Sequence, residues 1–295
     1  MFSRRHPYLF FILIMTAMIT GSSMLIRLGS VVTKSEAKGE KIGVVELVGP
    51  IMESSQVLED LRTFREDPSI RAIVIRVDSP GGGVGPSQEI FRALQRARED
   101  KIVIASLGSV AASGGYYAAA ATDGIMANAG TVTGSIGVIL GYTNFRHLVE
   151  RIGLEPVVIK SGDNKDMASP VRDLTPEQRE ILQAFVDRLH GQFVRDVAEG
   201  RSMEEEVVAR LADGRIYAGD EAMGLGLVDR IGNFEDALSW AAERAGIPAG
   251  AWVAVYPERE TSWLWNLVDG GARSLVGAME RRAGLQGGFL WTPGM

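Results

Sequence analysis

Ser113 stands in AASGGYYAAAAT, residues 111–122, with Gly114 and Gly115 directly after it. A hydroxyl followed by two residues without side chains suits a nucleophile whose neighbouring amides must reach a substrate oxygen. Taken alone, the same residues read as a helix start with a capping serine. A second stretch, DSPGGGVGPS at 78–87, has Pro80 to fix φ and then Gly81, Gly82 and Gly83, whose N–H groups no Cβ screens. At a strand end those amides suit a developing oxyanion, although a tight strand-to-helix turn calls for the same residues. It is neither a Walker A loop nor a dinucleotide fingerprint, because no Gly-Lys-Ser/Thr follows and the glycine spacing differs.

A serine nucleophile needs a base. Of the three histidines, His6 lies at the edge of an apolar N-terminal run, and His147 and His190 fall in helical segments, which gives a Ser-His-Asp triad little support. Lysine usage is lopsided: among 31 basic residues only Lys34, Lys38, Lys41, Lys101, Lys160 and Lys165 are lysines. The rest are arginines, which do not deprotonate at working pH. The two lysines beyond Lys101 both lie in KSGDNKDMASP, residues 160–170. A lysine held in an apolar, water-poor site can lose its proton and act as a base, whereas two solvated loop lysines would leave the same trace in sequence. Cysteine is absent, which excludes thiol catalysis, disulfides and Cys-ligated metals. A net charge of −6 without a basic patch argues against a nucleic-acid partner.

These residues need a scaffold, and from about residue 41 apolar strands alternate with amphipathic helices. Strands are expected at 41–48, 70–77, 101–107 and 154–160, with shorter ones in GIMAN and TVTGSIGVIL. Helices are expected at 54–66, from the glycine stretch through about Arg98, at 143–152, from Pro176 to Glu199, near 203–212 and 218–224, and through Ala245. Thr175, Pro176 and Gln178 have the spacing of an N-cap, an N1 proline and a capping box. This alternation predicts an α/β fold with a largely parallel sheet, placing the two glycine-bearing loops at one sheet end.

The N-terminus adds a compartment. YLFFILIMTAMITGSSMLIRL, residues 8–28, has Arg27 as its single charge, and 21 helical residues span about 31 Å, enough to cross a bilayer core. Arg4 and Arg5 before it place residues 1–7 in the cytoplasm and the rest of the chain outside. A cleaved signal peptide is the alternative, but no A-x-A site is present and apolar character resumes at Met24. A polar linker, 29–41, follows. The last 39 residues, 257–295, carry three of the five tryptophans and read as a membrane-interface or docking segment, or as a tail with a few apolar residues.

Five segments in order, DSPGGG, ASGGYY, TGSIGV, KSGDNKDMASP and DGRIYAGDEAMGLGLVD, make the chain resemble the signal peptide peptidase A (SppA) family in its short, single-domain form. The likeness covers roughly residues 42–246. It implies a ClpP/crotonase-like α/β spiral of ββα units preceded by one transmembrane helix, with the protease domain at 42–256. It also implies Ser113 as nucleophile, Lys165 rather than Lys160 as general base, and Ser135 orienting the lysine. The oxyanion hole would use the N–H of Gly114 and of Gly82, with Gly81 and Gly83 as alternatives. No cofactor or metal is implied. The implied substrates are remnant signal peptides and other apolar extended peptides, cleaved at the outer side of the cytoplasmic membrane by a ring-like homo-oligomer. Two other readings share the fold: a crotonase-type acyl-CoA enzyme, which needs no serine nucleophile, and a catalytically silent membrane scaffold.

Overall fold

The computed structural model describes residues 39–257 and 286–290, with Tyr8, Met15, Thr16 and Gly21 as isolated positions before them. The expected anchor at 8–28 otherwise lies outside the described residues, as do most of the linker and most of the tail. Among the described residues no helix is long and apolar enough to cross a membrane. The chain divides at Gly39–Glu40, and the unit beginning at Glu40 carries every candidate site residue.

The first half of this unit runs β1 (Glu40–Val48), α1 (Ser55–Glu66), β2 (Ile70–Ser79), β3 (Gly81–Gly83), α2 (Val84–Asp100), β4 (Ile102–Ala112), α3 (Gly114–Ala120), β5 (Gly124–Ala127), β6 (Val132–Gly134) and β7 (Ile139–Gly141). It continues α4 (Arg146–Arg151), α5 (Pro176–Arg201), α6 (Glu205–Leu211), β8 (Ile216–Ala218), α7 (Gly219–Gly224), β9 (Arg230–Ile231), α8 (Phe234–Arg244), β10 (Trp252–Val255) and β11 (Gln286–Leu290).

The main sheet has the order β10-β1-β2-β4-β5-β9, with every neighbouring pair parallel. Parallel strands covered on both faces need apolar side chains on both, so IRAIVIRV reads as a nearly continuous apolar run. Strand alternation sends Val45, Leu47, Ile73, Ile75, Val77, Val103, Ala105 and Leu107 to a core shared with α1, α2, α3 and α5. Ile42, Val44, Ala72, Val74 and Ile104 point the other way, onto Ala237, Leu238, Trp240 and Ala241 of α8. Two further strands branch from the same sheet: β6 runs parallel to β4 at Val110–Ala112, and β8 flanks β6 antiparallel. β3, β11 and β7 form a separate small sheet.

The capping box at the start of α5 is present, with the Thr175 hydroxyl accepting from the Gln178 N–H at 3.1 Å. The strand expected at 154–160 is not. Among the described residues 154–160 pair with no strand, and Val157 and Ile159 are 82% and 99% exposed. Val-Val-Ile has strong β propensity, but propensity forms a ladder only beside a free strand edge, and no described edge pairs with this segment.

Candidate active site

Ser113 sits where β4 passes into α3, with φ 56° and ψ −120°. Left-handed φ in a residue with a Cβ costs of order 1–3 kcal/mol and persists only where the surroundings impose it. Here they do: the Ser113 N–H donates to Gly134 O at 2.8 Å, and its own carbonyl accepts from the Tyr117 N–H at 2.8 Å. The residue occupies the N-cap position, yet its hydroxyl makes no capping hydrogen bond. A capping serine spends its oxygen on the helix; this one, 1% exposed, does not.

The glycine stretch forms a short strand rather than only a turn. The Ile51 N–H donates to Gly81 O at 2.9 Å, and the Gly83 N–H donates to Ile51 O at 2.8 Å. The Gly81 N–H donates to the Ser79 hydroxyl at 3.1 Å. Peptide groups alternate along a strand, so the N–H and C=O of Gly82 face the opposite edge, away from Ile51. A Cβ on Gly82 would lie 2.2 Å from Ile51 O, so the approach requires glycine. One on Gly114 would lie 2.5 Å from the Ser87 hydroxyl oxygen and 3.3 Å from Gly82 N. As the first residue of α3, Gly114 also has an amide that the helix itself leaves unpaired. The two amides assigned from sequence, Gly82 and Gly114, therefore lie on adjoining backbones beside Ser113.

Ser135 also has left-handed φ, 50°, and its N–H donates to Arg215 O at 2.8 Å. It follows directly on Gly134, the residue that holds the Ser113 N–H. Ser113 and Ser135 are thus brought together. Lys165 is not: it lies exposed in the turn at 161–168, and among the described residues its ammonium makes no hydrogen bond or ion pair. Lys160, the other lysine of this segment, is engaged. Its ammonium donates to Asp166 Oδ1 and to Asp163 O, both at 2.8 Å. Arg172 grips the same carboxylate at 2.7 Å, and together with Lys160 it holds Asp166 well below the usual carboxylate range.

Helix α5 fixes where this turn stands. Gln178, near its start, donates to Asp163 O at 3.2 Å and accepts from Arg172 at 3.0 Å. Asp196, near its end, takes the Tyr117 hydroxyl and pairs with Arg92 at 2.8 Å. Eighteen residues of helix separate these anchor points, about 27 Å along the axis. The lysine turn is tied to one end of α5, and the helix that follows Ser113 packs against the other.

The Tyr117–Asp196–Arg92 cluster is not foreseeable from sequence. Burial, with the Asp196 contact adding to it, pushes the Tyr117 hydroxyl far above its ordinary value and keeps it a donor. Tyr116, fully buried, donates to Leu227 O at 3.0 Å. The two tyrosines after the glycine pair bolt α3 to α5 and to the segment before β9. The signal for this role is GGYY itself, two adjacent polar-tipped aromatics in an otherwise small-residue helix, but it does not indicate their partners.

Comparison with known proteins agrees with this architecture. A Clp protease profile matches residues 40–134, and the fold is that of a Clp-like α/β domain of a serine peptidase. The chain belongs to peptidase family S49, whose profile matches residues 95–248. It is 48% identical over 210 residues to "Putative protease slr0021" of Synechocystis sp., covering 70% of this chain and 76% of that protein. It is 39% identical over 216 residues to "Putative signal peptide peptidase SppA" of Enterococcus faecium, covering 72% and 62%. With "Serine protease SPPA, chloroplastic" of Arabidopsis thaliana it shares 32% over 255 residues, 86% of this chain but 38% of that one.

Proposed function

We propose that this serine peptidase is a membrane-anchored endopeptidase with a Ser113–Lys165 dyad, and that it cleaves remnant signal peptides and other apolar extended peptides outside the cytoplasmic membrane. The observation that carries the reading is the strained Ser113, its hydroxyl not used for capping, beside the amides of Gly82 and Gly114. In the proposed cycle, neutral Lys165 takes the Ser113 proton and the alkoxide attacks the scissile carbonyl. The tetrahedral oxyanion accepts hydrogen bonds from the two amides, and the lysine returns the proton to the departing amine. Water, deprotonated by the same lysine, then releases the acyl group and regenerates the serine. Ser135, next to the residue that positions Ser113, orients the lysine amine.

A lysine serves as base only when water is excluded from it, and Lys165 is exposed in the single chain. Its turn lies about 27 Å along α5 from the anchor of α3, which favours a Lys165 supplied to each Ser113 by a neighbouring copy. A homo-oligomer would also cover the apolar side chains exposed at Leu148, Ile152, Leu154, Val157 and Ile159. The anchor at 8–28 rests on the sequence, and the substrate class on the sequence and on the name of the Enterococcus relative. The acyl-CoA and scaffold readings lose ground to membership of a peptidase family. Peptide cleavage by the full chain, compared with Ser113→Ala and Lys165→Ala, decides the matter: serine-independent cleavage or none at all refutes the reading.

A further inference from the structure

The Gly82 amide belongs to β3 and the Gly114 amide to α3, so the distance between them depends on how a strand and a helix are held against each other. The bonds to Ile51 pin β3 to the chain before it, not to α3. Two buried serines make the second connection. Ser79, the last residue of β2, and Ser87, in the first turn of α2, are both 0% exposed and stand at the two ends of β3. The Ser79 hydroxyl accepts from the Gly81 N–H at 3.1 Å, and the Ser87 hydroxyl donates to Gly83 O at 2.8 Å.

Each serine also abuts one glycine of the pair after Ser113. The Ser87 hydroxyl oxygen is 2.5 Å from where a Gly114 Cβ would stand. Ser79 O and Ser79 Cβ are 2.7 Å and 3.4 Å from where a Gly115 Cβ would. Ser79 pairs, in addition, with Ala111 of β4, two residues before the nucleophile. Local chemistry accounts for part of this, since a helical serine often bonds back to the carbonyl four residues before it. That habit does not put the same oxygen against Gly114, nor repeat the arrangement with a second serine at the other end of the strand. A hydroxyl is costly to bury unless it is bonded, and both of these are bonded to the glycine strand.

We propose that Ser79 and Ser87 are positioning residues that set the spacing between the Gly82 and Gly114 amides, each joined to β3 by a hydrogen bond and to the start of α3 by direct packing. The proposal rests on the reading of Ser113 as nucleophile and of these two amides as its oxyanion hole. Such donors work only when held within about 0.5 Å of their productive places. Removing either hydroxyl frees one end of β3, and removing that of Ser87 also opens space against Gly114.

The test uses Ser79→Ala and Ser87→Ala in the full chain. Thr122→Val, which removes a similarly buried hydroxyl just past the far end of α3, is the control. An Ala-Leu repeat peptide serves as substrate, and its boronate, whose tetrahedral adduct with the Ser113 hydroxyl places an oxygen in the hole, as inhibitor. In both alanine variants kcat and boronate affinity are expected to fall about tenfold, less than the roughly 10²–10³ that outright loss of a donor costs. KM should stay within about twofold, the mark of an interaction made only in the transition state. The pH midpoint of kcat should not move, because the base is untouched, and Thr122→Val should alter neither kcat nor boronate affinity.

A variant with a wild-type melting midpoint that binds the boronate as the wild type does overturns the assignment for that serine. The two stand on different elements, so misfolding of one variant leaves the other to decide, and misfolding of both overturns the proposal by making the serines structural. An equal loss in Thr122→Val, or a KM that rises as far as kcat falls, overturns it for both. A boronate that binds Ser113→Ala as tightly as the wild type counts against the serine reading alone.

Discussion

At the scale of single residues, the two lysines of KSGDNKDMASP separate by what they touch. Lys160 is held by Asp166 and Asp163 O, and Lys165 has no side-chain partner among the described residues. Lys165→Ala is therefore expected to abolish peptide cleavage, while Lys160→Ala, which loosens a turn already gripped by Arg172, retains most of it. Steady-state kinetics on both variants tests the assignment, and equal losses would contradict it. Ser113→Ala should lower kcat by about 10³-fold or more, as loss of a catalytic nucleophile does elsewhere. An amine accepts a proton only when uncharged, so the wild-type rate should climb with pH through the neutral and alkaline range; a flat profile would exclude a lysine base. The Asp166 clamp has the opposite sign. Its folded carboxyl is held below the ordinary value by Arg172 and Lys160. The stability it adds is present above the unfolded carboxylate range and is lost only as pH falls towards the depressed value. The alkaline rise in rate should thus occur with this turn intact, which exchange protection at 161–168 can check.

At the scale of elements, α3 is seven residues long, too short to stand on its own propensity, and takes its position from its two tyrosines. Tyr117→Phe removes the donor to Asp196 while leaving the Arg92 ion pair. It should destabilise the fold by about 1–3 kcal/mol, the cost of a buried acceptor left short of a donor, measured as a lower urea midpoint at unchanged m. An unchanged midpoint would show that Arg92 alone satisfies Asp196. Much of this level is legible in the sequence. The parallel strands and their helices follow from apolar runs bounded by turns, and the α5 capping box follows from Thr175 and Gln178. The 154–160 strand fails to form because Val-Val-Ile marks propensity and carries no information about available edges. The site is legible as residue types in order. What the sequence does not supply is which of Gly81, Gly82 and Gly83 turns its amide outward. That depends on Ile51, a residue some thirty positions earlier that no local pattern connects to them.

At the scale of the whole molecule, the length of α5 has a consequence for assembly. Its C-terminal turns place Phe193, Val194, Val197 and Ala198 in the core, while its N-terminal turns expose Ile181 and Phe185, and the unpaired segment that ends in Val157, Val158 and Ile159 is exposed as well. In the proposed homo-oligomer, this apolar surface is the face a neighbouring copy would cover. Ile159→Asp should accordingly shift the protein to smaller species in light scattering and lower activity in parallel. A sharper outcome follows from the separation of Lys165 and Ser113 along the helix. If each site draws its serine from one copy and its lysine from the next, Ser113→Ala and Lys165→Ala proteins are each inactive but complementary. Exchanged into mixed assemblies at equal amounts, they should regain about a quarter of wild-type activity, since half the chains offer an intact serine and half of their neighbours an intact lysine. Adding Ile159→Asp to both partners should abolish that recovery. Mixed assemblies that stay inactive would place both catalytic groups in one chain, and would require Lys165 to reach its own Ser113 by a rearrangement of the 161–168 turn.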